Sequence, residues 1–352
     1  MHHYLEQQLQ NMLLIINKVK KSAKDEIEEI RDLLPIQDFK LDLKKVLPFI
    51  AVDGSQTWLW SPMGINIWLM LNRIGMVHYR FENTKYKLIQ KEVRDSIELI
   101  STLEEVVGSQ SEIHLKLYEY VLEYAKGREH DVIAGSLMRL NEYKTALDYA
   151  KKYKNVIIAL DGAFVSAFPE DLLSSLEFPL VSQIIEVCEK NNNILIGISK
   201  DSRKRSFSKN LSDESLLNYI TMGEAKCFYI KIKSKSKDAK GDTYFVKLHP
   251  NATKWFRIDL GTNRDNPEEV FQIIAQYAKS QILLGYPFPL TEAHKVAVTI
   301  RQFRNIYEQI LFDIGPVCGF NTGEILKGFT TMAGRKRGEF HESLDLVSRI
   351  SR

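Results

Sequence analysis

The chain has 352 residues, 44% of them hydrophobic and 26% charged, with a formal net charge of +3 at pH 7. This is the composition of a globular domain protein, and no apolar run reaches the roughly 18 residues that a membrane-spanning helix needs. Its three cysteines, Cys188, Cys227 and Cys318, lie far apart and are odd in number. That excludes a zinc knuckle, argues against a disulfide framework and points to a cytoplasmic location, while the amino terminus lacks a basic-then-apolar signal pattern.

Residues 4–34 read as a long helix, with Leu5, Leu9, Met12, Leu13, Ile16 and Val19, then Ile27, Ile30 and Leu34, at helical spacing. The apolar stripe suits packing on the main domain or on another chain. The stretch 48–56, Pro-Phe-Ile-Ala-Val-Asp-Gly-Ser-Gln, reads as a buried strand that ends at Asp53-Gly54-Ser55, where glycine lets the backbone turn. Short strands follow at 57–60, 65–71, 76–81 and 86–91, separated by Pro62, Gly64 and Gly75, which predicts an antiparallel meander.

Two helices are expected at 111–126 and 131–153, and the second leads into a strand at 155–160 closed by Asp161-Gly162. Helices at 169–176 and 180–190 then flank a third buried strand at 193–199, an alternation that favours parallel pairing. Strands at 226–232, 243–248 and 255–260, a lysine-rich tip at 231–241, and helices at 267–280 and 290–312 complete the pattern. The predicted fold class is α/β: a mixed sheet flanked by helices. Residues 1–47 form a helical extension, 48–313 the core, and 314–352 a tail packed on the core or at an interface.

The candidate chemistry starts from the two Asp-Gly pairs. One such pair is ordinarily only a turn, but two of them closing apolar strands point to two carboxylates converging on one site. Glu142, on the helix leading into the second strand, supplies a third. Three carboxylates around one point repel unless a hard divalent cation sits between them, and Mn²⁺ or Mg²⁺ accepts such ligands. His294 follows the proline-rich aromatic loop 285–290 on a helix and could bind metal or move a proton. At the end of the third strand, Lys200 could hold a scissile phosphate, and Arg203, Lys204 and Arg205 could track a nucleic-acid backbone. Trp58, Trp60 and Tyr79 are candidates for stacking on bases, with core packing as their alternative, and Tyr286 is a candidate DNA contact.

Taken in order, these motifs resemble the NurA family of archaeal and bacterial nucleases. They are the Val-Asp-Gly-Ser strand near residue 50, Arg139-x-x-Glu142 before Leu-Asp-Gly, Gly-Ile-Ser-Lys-Asp-Ser at 197–202, and Tyr286-Pro followed by Ala293-His294. Asp-Gly-Ala-Phe at 161–164 departs from the family's usual Asp-Gly-Ser-Leu but keeps the carboxylate. The resemblance implies a ribonuclease H-like core and a homodimer that acts with a hexameric HerA-type ATPase on DNA. It also implies manganese-dependent endonuclease cleavage of single strands and digestion from 5′ ends, in DNA end resection and break repair near the nucleoid. Asp53, Glu142, Asp161 and His294 match the metal-binding groups, Lys200 the basic residue of the third motif, and Asp201 a neighbouring position.

Two other classes are weighed against this one. A non-catalytic DNA-end clamp or translocase adaptor would not need its acids, yet all three are present. A phosphotransferase of the haloacid dehalogenase type needs Asp-x-Asp, and Ser55 stands where its second aspartate belongs. The absence of a G-x-x-x-x-G-K-[ST] motif excludes a P-loop ATPase.

Overall fold

A computed structural model describes residues 2–41, 46–62, 65–82, 85–101, 103, 129–163, 172–200, 205–232, 241–262 and 266–329. In chain order its first elements are α1 (His2–Arg31), β1 (Gln37–Phe39), β2 (Phe49–Trp60), β3 (Ile67–Glu82) and β4 (Lys85–Ser101). Then come α2 (Glu129–Lys152), β5 (Ile157–Asp161), α3 (Leu172–Lys190), β6 (Ile194–Ser199) and α4 (Asp213–Ile220). The remainder is β7 (Cys227–Ile232), β8 (Asp242–Lys247), β9 (Phe256–Leu260), α5 (Pro267–Gln276), α6 (Phe288–Val298), α7 (Ile300–Ile314), a 3-10 turn (Gly315–Cys318) and α8 (Thr322–Gly328). The chain divides into two compact units. One comprises residues 1–46, 162–165 and 196–288, the other residues 47–161, 166–195 and 289–352.

The second unit contains the three longest strands, β2, β3 and β4, paired antiparallel in sequence order, with β5 parallel to β2 on its other side. This is the expected mixed sheet flanked by helices. Alternation along β2 sends Trp58 to the α2 side, where it clusters with Met70, Ile100, Ile133, Ala134 and Leu137. Leu59 goes to the opposite side, with Leu71 of β3, Ile300 of α7, Ile325 of α8 and Phe329 just past α8. A strand covered on both faces has no polar face to show, which is why residues 49–52 are continuously apolar. The carboxyl-terminal segment joins this packing directly: Trp60 Nε1 donates to the Ile325 carbonyl at 2.9 Å, and Phe329 bridges to Trp60.

Several expectations are corrected here. The strand that begins at Phe49 does not end at Gly54; it runs on to Trp60. Likewise Gly75 is no turn but sits within the sixteen residues of β3. Instead of two helices, expected at 169–176 and 180–190, a single helix runs Leu172–Lys190, and Pro179 is tolerated inside it, on an exposed position. The missing backbone bond is offset by burial of Val181, Ile184, Ile185 and Cys188 on the inner side of α3. Conversely, the single helix expected at 290–312 is broken at Thr299 into α6 and α7. The helix expected at 111–126, most of the lysine-rich tip and residues 330–352 lie outside the described residues.

In the first unit, β1, β7, β8, β9 and β6 pair in that order, all antiparallel. Phe271 of α5 packs its ring on Phe39, Tyr229 and Tyr244. The carboxyl-terminal part of α1 is held by Ile27, which packs on Leu216 and Ile220 of α4. Upstream, Leu5, Leu9, Met12, Leu13, Ile16 and Val19 are exposed. Burial pushes the thiols of Cys188, on α3, and Cys227, on β7, up to about 12, whereas Cys318 is exposed.

Candidate metal centre

The parallel register of β2 and β5 pairs Val52 with Leu160, so Asp53 and Asp161 come next on neighbouring strands and point to the same face. β5 ends at Asp161. His294 arrives from α6, with Nδ1 2.7 Å from Asp53 Oδ2. One ligand atom from each of Asp53, Asp161 and His294 lies within 4.8 Å of the other two. The Asp53 side chain is 8% exposed and the His294 side chain 49%, so the cluster has a buried floor and an open imidazole side.

The approach of α6 depends on Gly75, the cross-strand partner of Asp53. A Cβ at that position would stand 2.7 Å from the Ala293 carbonyl oxygen and 2.9 Å from the Ala297 nitrogen. Without it, the helix backbone rests on the strand, and the residue after Ala293 is the histidine.

Glu142 approaches the next residue of β2, Gly54, from the other side of the sheet. Successive residues of β2 face opposite ways, so Gly54 turns toward α2 while Asp53 turns toward α6. A Cβ on Gly54 would stand 2.6 Å from Glu142 Oε1 and 2.9 Å from Met138 Cγ. The glycine is therefore a gap that admits a carboxylate against the strand backbone. Burial pushes the Glu142 carboxyl well above the usual range, and the charges of Asp53 and Asp161 push the same way, against the Gly54 N–H and Arg139. A buried carboxyl that keeps its proton beside two other acids is an oxygen donor that a cation could free.

The family model for the NurA domain matches residues 48–299, from the start of β2 to the break after α6. The chain belongs to the NurA family. Among solved structures it is similar to the NurA nuclease from Sulfolobus solfataricus, at 19% identity and a TM-score of 0.54, covering 86% of this chain and 96% of that one. A second NurA crystal structure matches at 12% identity and a TM-score of 0.53, covering 89% and 99% of the two chains. A structure of NurA bound to dAMP and manganese matches at 11% identity and a TM-score of 0.48, covering 81% and 91%. The first two likenesses show a shared fold. Among curated proteins, no sequence matches the chain.

The NurA domain brings Asp53, Asp161 and His294 together, with Glu142 against Gly54. The other expected site residues belong to the first unit or to the packing. Lys200 Nζ lies over the ring of Tyr286, 5.4 Å from its centroid. Tyr286 is 4% exposed and also packs on Phe256, so its ring is not available to DNA, contrary to expectation. Trp58 is corrected in the same way: it is 7% exposed, and its ring meets Trp68 edge-on within the α2 cluster. Trp60 is buried beneath α8, and Tyr79 is half-buried. Arg205 is exposed, with Nη1 3.3 Å from the Lys209 carbonyl, whereas Asp201, Arg203 and Lys204 lie outside the described residues. Sequence reasoning missed Gly54 and Gly75 as spacers. The signal was a glycine inside an apolar, strand-like run, which marks close backbone approach as well as a turn.

Proposed function

We propose that this NurA-family chain is a metal-dependent deoxyribonuclease that hydrolyses phosphodiester bonds at the centre formed by Asp53, Glu142, Asp161 and His294. The observation that carries this reading is the convergence of Asp53, Asp161 and His294 within 4.8 Å, backed by Glu142, whose proton is retained by burial first and by the neighbouring acids second. The residues fit a divalent cation: oxygen donors suit Mg²⁺ or Mn²⁺, and an imidazole nitrogen among them favours Mn²⁺. Such an ion would supply an activated water and neutralise charge on the scissile phosphate.

Asp53, Glu142 and Asp161 would hold the ion. His294, half-exposed, would complete its shell or protonate the leaving oxygen. Lys200 would bind a phosphate oxygen, with Arg203, Lys204 and Arg205 along the backbone. Family membership further supports cleavage within single strands and digestion from 5′ ends, by a cytoplasmic homodimer working with a HerA-type hexameric ATPase in end resection and double-strand break repair.

The test is cleavage of labelled single-stranded and duplex DNA in Mn²⁺, Mg²⁺ or chelator by the wild-type chain and Asp53→Asn. Expected is metal-dependent cleavage that drops by about 1,000-fold or more in the variant, or about 4 kcal/mol of barrier, with DNA binding retained. Tight DNA binding without cleavage in any metal would overturn this reading in favour of a DNA-end adaptor.

A further inference from the structure

Arg73 lies on β3, two residues before Gly75 and on the face that α6 and α7 cover. Its side chain is 7% exposed. The guanidinium grips Asp95 of β4 with two bonds, Nε to Oδ1 at 2.7 Å and Nη2 to Oδ2 at 2.6 Å. Its Nη1 donates to Thr299 Oγ1 at 2.6 Å, and its Cζ lies over the Phe303 ring, 4.7 Å from the centroid. Tyr307 of α7 donates to Asp95 Oδ2 at 3.0 Å, so the carboxylate is held from both the strand and the helix.

Thr299 is the single residue between α6 and α7. Its hydroxyl proton goes to the Val296 carbonyl at 2.5 Å, which leaves an oxygen lone pair to receive Arg73. A planar fork already fixed by Asp95 has little freedom left, so its third contact fixes the position of Thr299 as well. α6 is therefore held on the strand at two places, at Gly75 under Ala293 and Ala297, and at Arg73 under Thr299. His294 falls between those two holds. Its own side-chain tie to Asp53 is one 2.7 Å contact from a half-exposed ring, too little to hold a helix.

We infer that Arg73 is a positioning residue for the metal centre: anchored on Asp95, it pins Thr299 and so places the His294 imidazole against Asp53. The inference rests on reading Asp53, Asp161 and His294 as a metal centre, and it adds a residue that touches neither ion nor DNA. Groups that orient metal ligands in this way commonly change metal affinity by 10- to 100-fold when lost.

Thr299→Val removes the acceptor and keeps the side-chain shape, while Thr299→Ser returns the hydroxyl. Two readouts on the full chain separate placement from folding: Mn²⁺ affinity by electron paramagnetic resonance, and the ¹⁵N spectrum of the His294 imidazole in the metal-free protein. Expected for Thr299→Val is Mn²⁺ binding about 10-fold weaker and an altered imidazole spectrum, both restored in Thr299→Ser. Arg73→Lys should move both readouts in the same direction. Because that change leaves Asp95 poorly paired and could disturb folding, the threonine pair decides. Wild-type Mn²⁺ affinity with an unchanged imidazole spectrum in Thr299→Val would overturn the inference. A wild-type chain with no Asp53-dependent Mn²⁺ binding would remove the metal reading, and the metal-free spectrum would still show whether Thr299 places His294.

Discussion

The two Asp-Gly pairs, alike in sequence, do different work. At Asp161-Gly162 the strand ends, and Gly162 takes φ +142° with no described atom within 4 Å of where a Cβ would be. At Asp53-Gly54 the strand continues for six more residues, and the backbone there suits any amino acid, but the space belongs to Glu142. One glycine is needed for its dihedral freedom and the other for its missing side chain. The lesson is that a carboxylate can come up against the backbone of a covered strand when the strand provides a hole.

Alanine at each glycine tests this distinction most severely. Gly54→Ala should drive Glu142 from its seat and lower activity about 100-fold, with about 1–3 kcal/mol of overpacking cost in a denaturant titration. Adding Glu142→Ala should recover part of that stability, because the two side chains compete for one space. Gly162→Ala should show a comparable stability loss of about 1–3 kcal/mol from backbone strain and a much smaller loss of rate. Equal losses of rate at both glycines would break the comparison.

A smaller effect lies in the protons. The Glu142 carboxyl is held well above its ordinary 4.5, so the folded chain keeps a proton that the unfolded chain releases just above that pH. The metal-free protein therefore loses stability as pH rises from 4.5 toward the folded value, and Glu142→Gln should abolish that loss. Loading Mn²⁺ should expel about one proton per ion, read by calorimetry in buffers of different ionisation enthalpy, and the glutamine variant should expel none from this position. Smallest of all is the effect on DNA of Trp58→Phe, four residues along the same face from Gly54. Its buried ring predicts a stability loss of about 1–3 kcal/mol and DNA affinity changed by less than about twofold.

Much of the centre was legible because its residues come with local signals. Asp53 and Asp161 close apolar runs, Glu142 precedes the second run on an Arg-x-x-Glu helix, and His294 follows a proline-rich loop. What was not legible depends on partners distant in sequence. Gly75 reads as a break unless α6 is known to lie on it, and β3 therefore looked like two strands. The break at Thr299 carries neither glycine nor proline, and the residue there accepts a hydrogen bond from an arginine on β3, 226 positions earlier. Trp58 and Tyr286 look like DNA contacts until their neighbours are known, since aromatic residues have the same composition in a core and on a binding surface. Pro179 does not divide α3, because burial on one side of the helix outweighs one lost backbone bond.

The unequal settings of the three cysteines make the folded chain, to a thiol reagent, a one-cysteine protein. Alkylation requires the thiolate, and Cys188 and Cys227 are both buried and held as thiols to about 12, which leaves Cys318 beyond α7 as the group that reacts. A fluorophore or spin label can thus be attached at Cys318 without engineering the other two away, and uptake of a second or third label serves as a clock for the opening of the sheet units that enclose them.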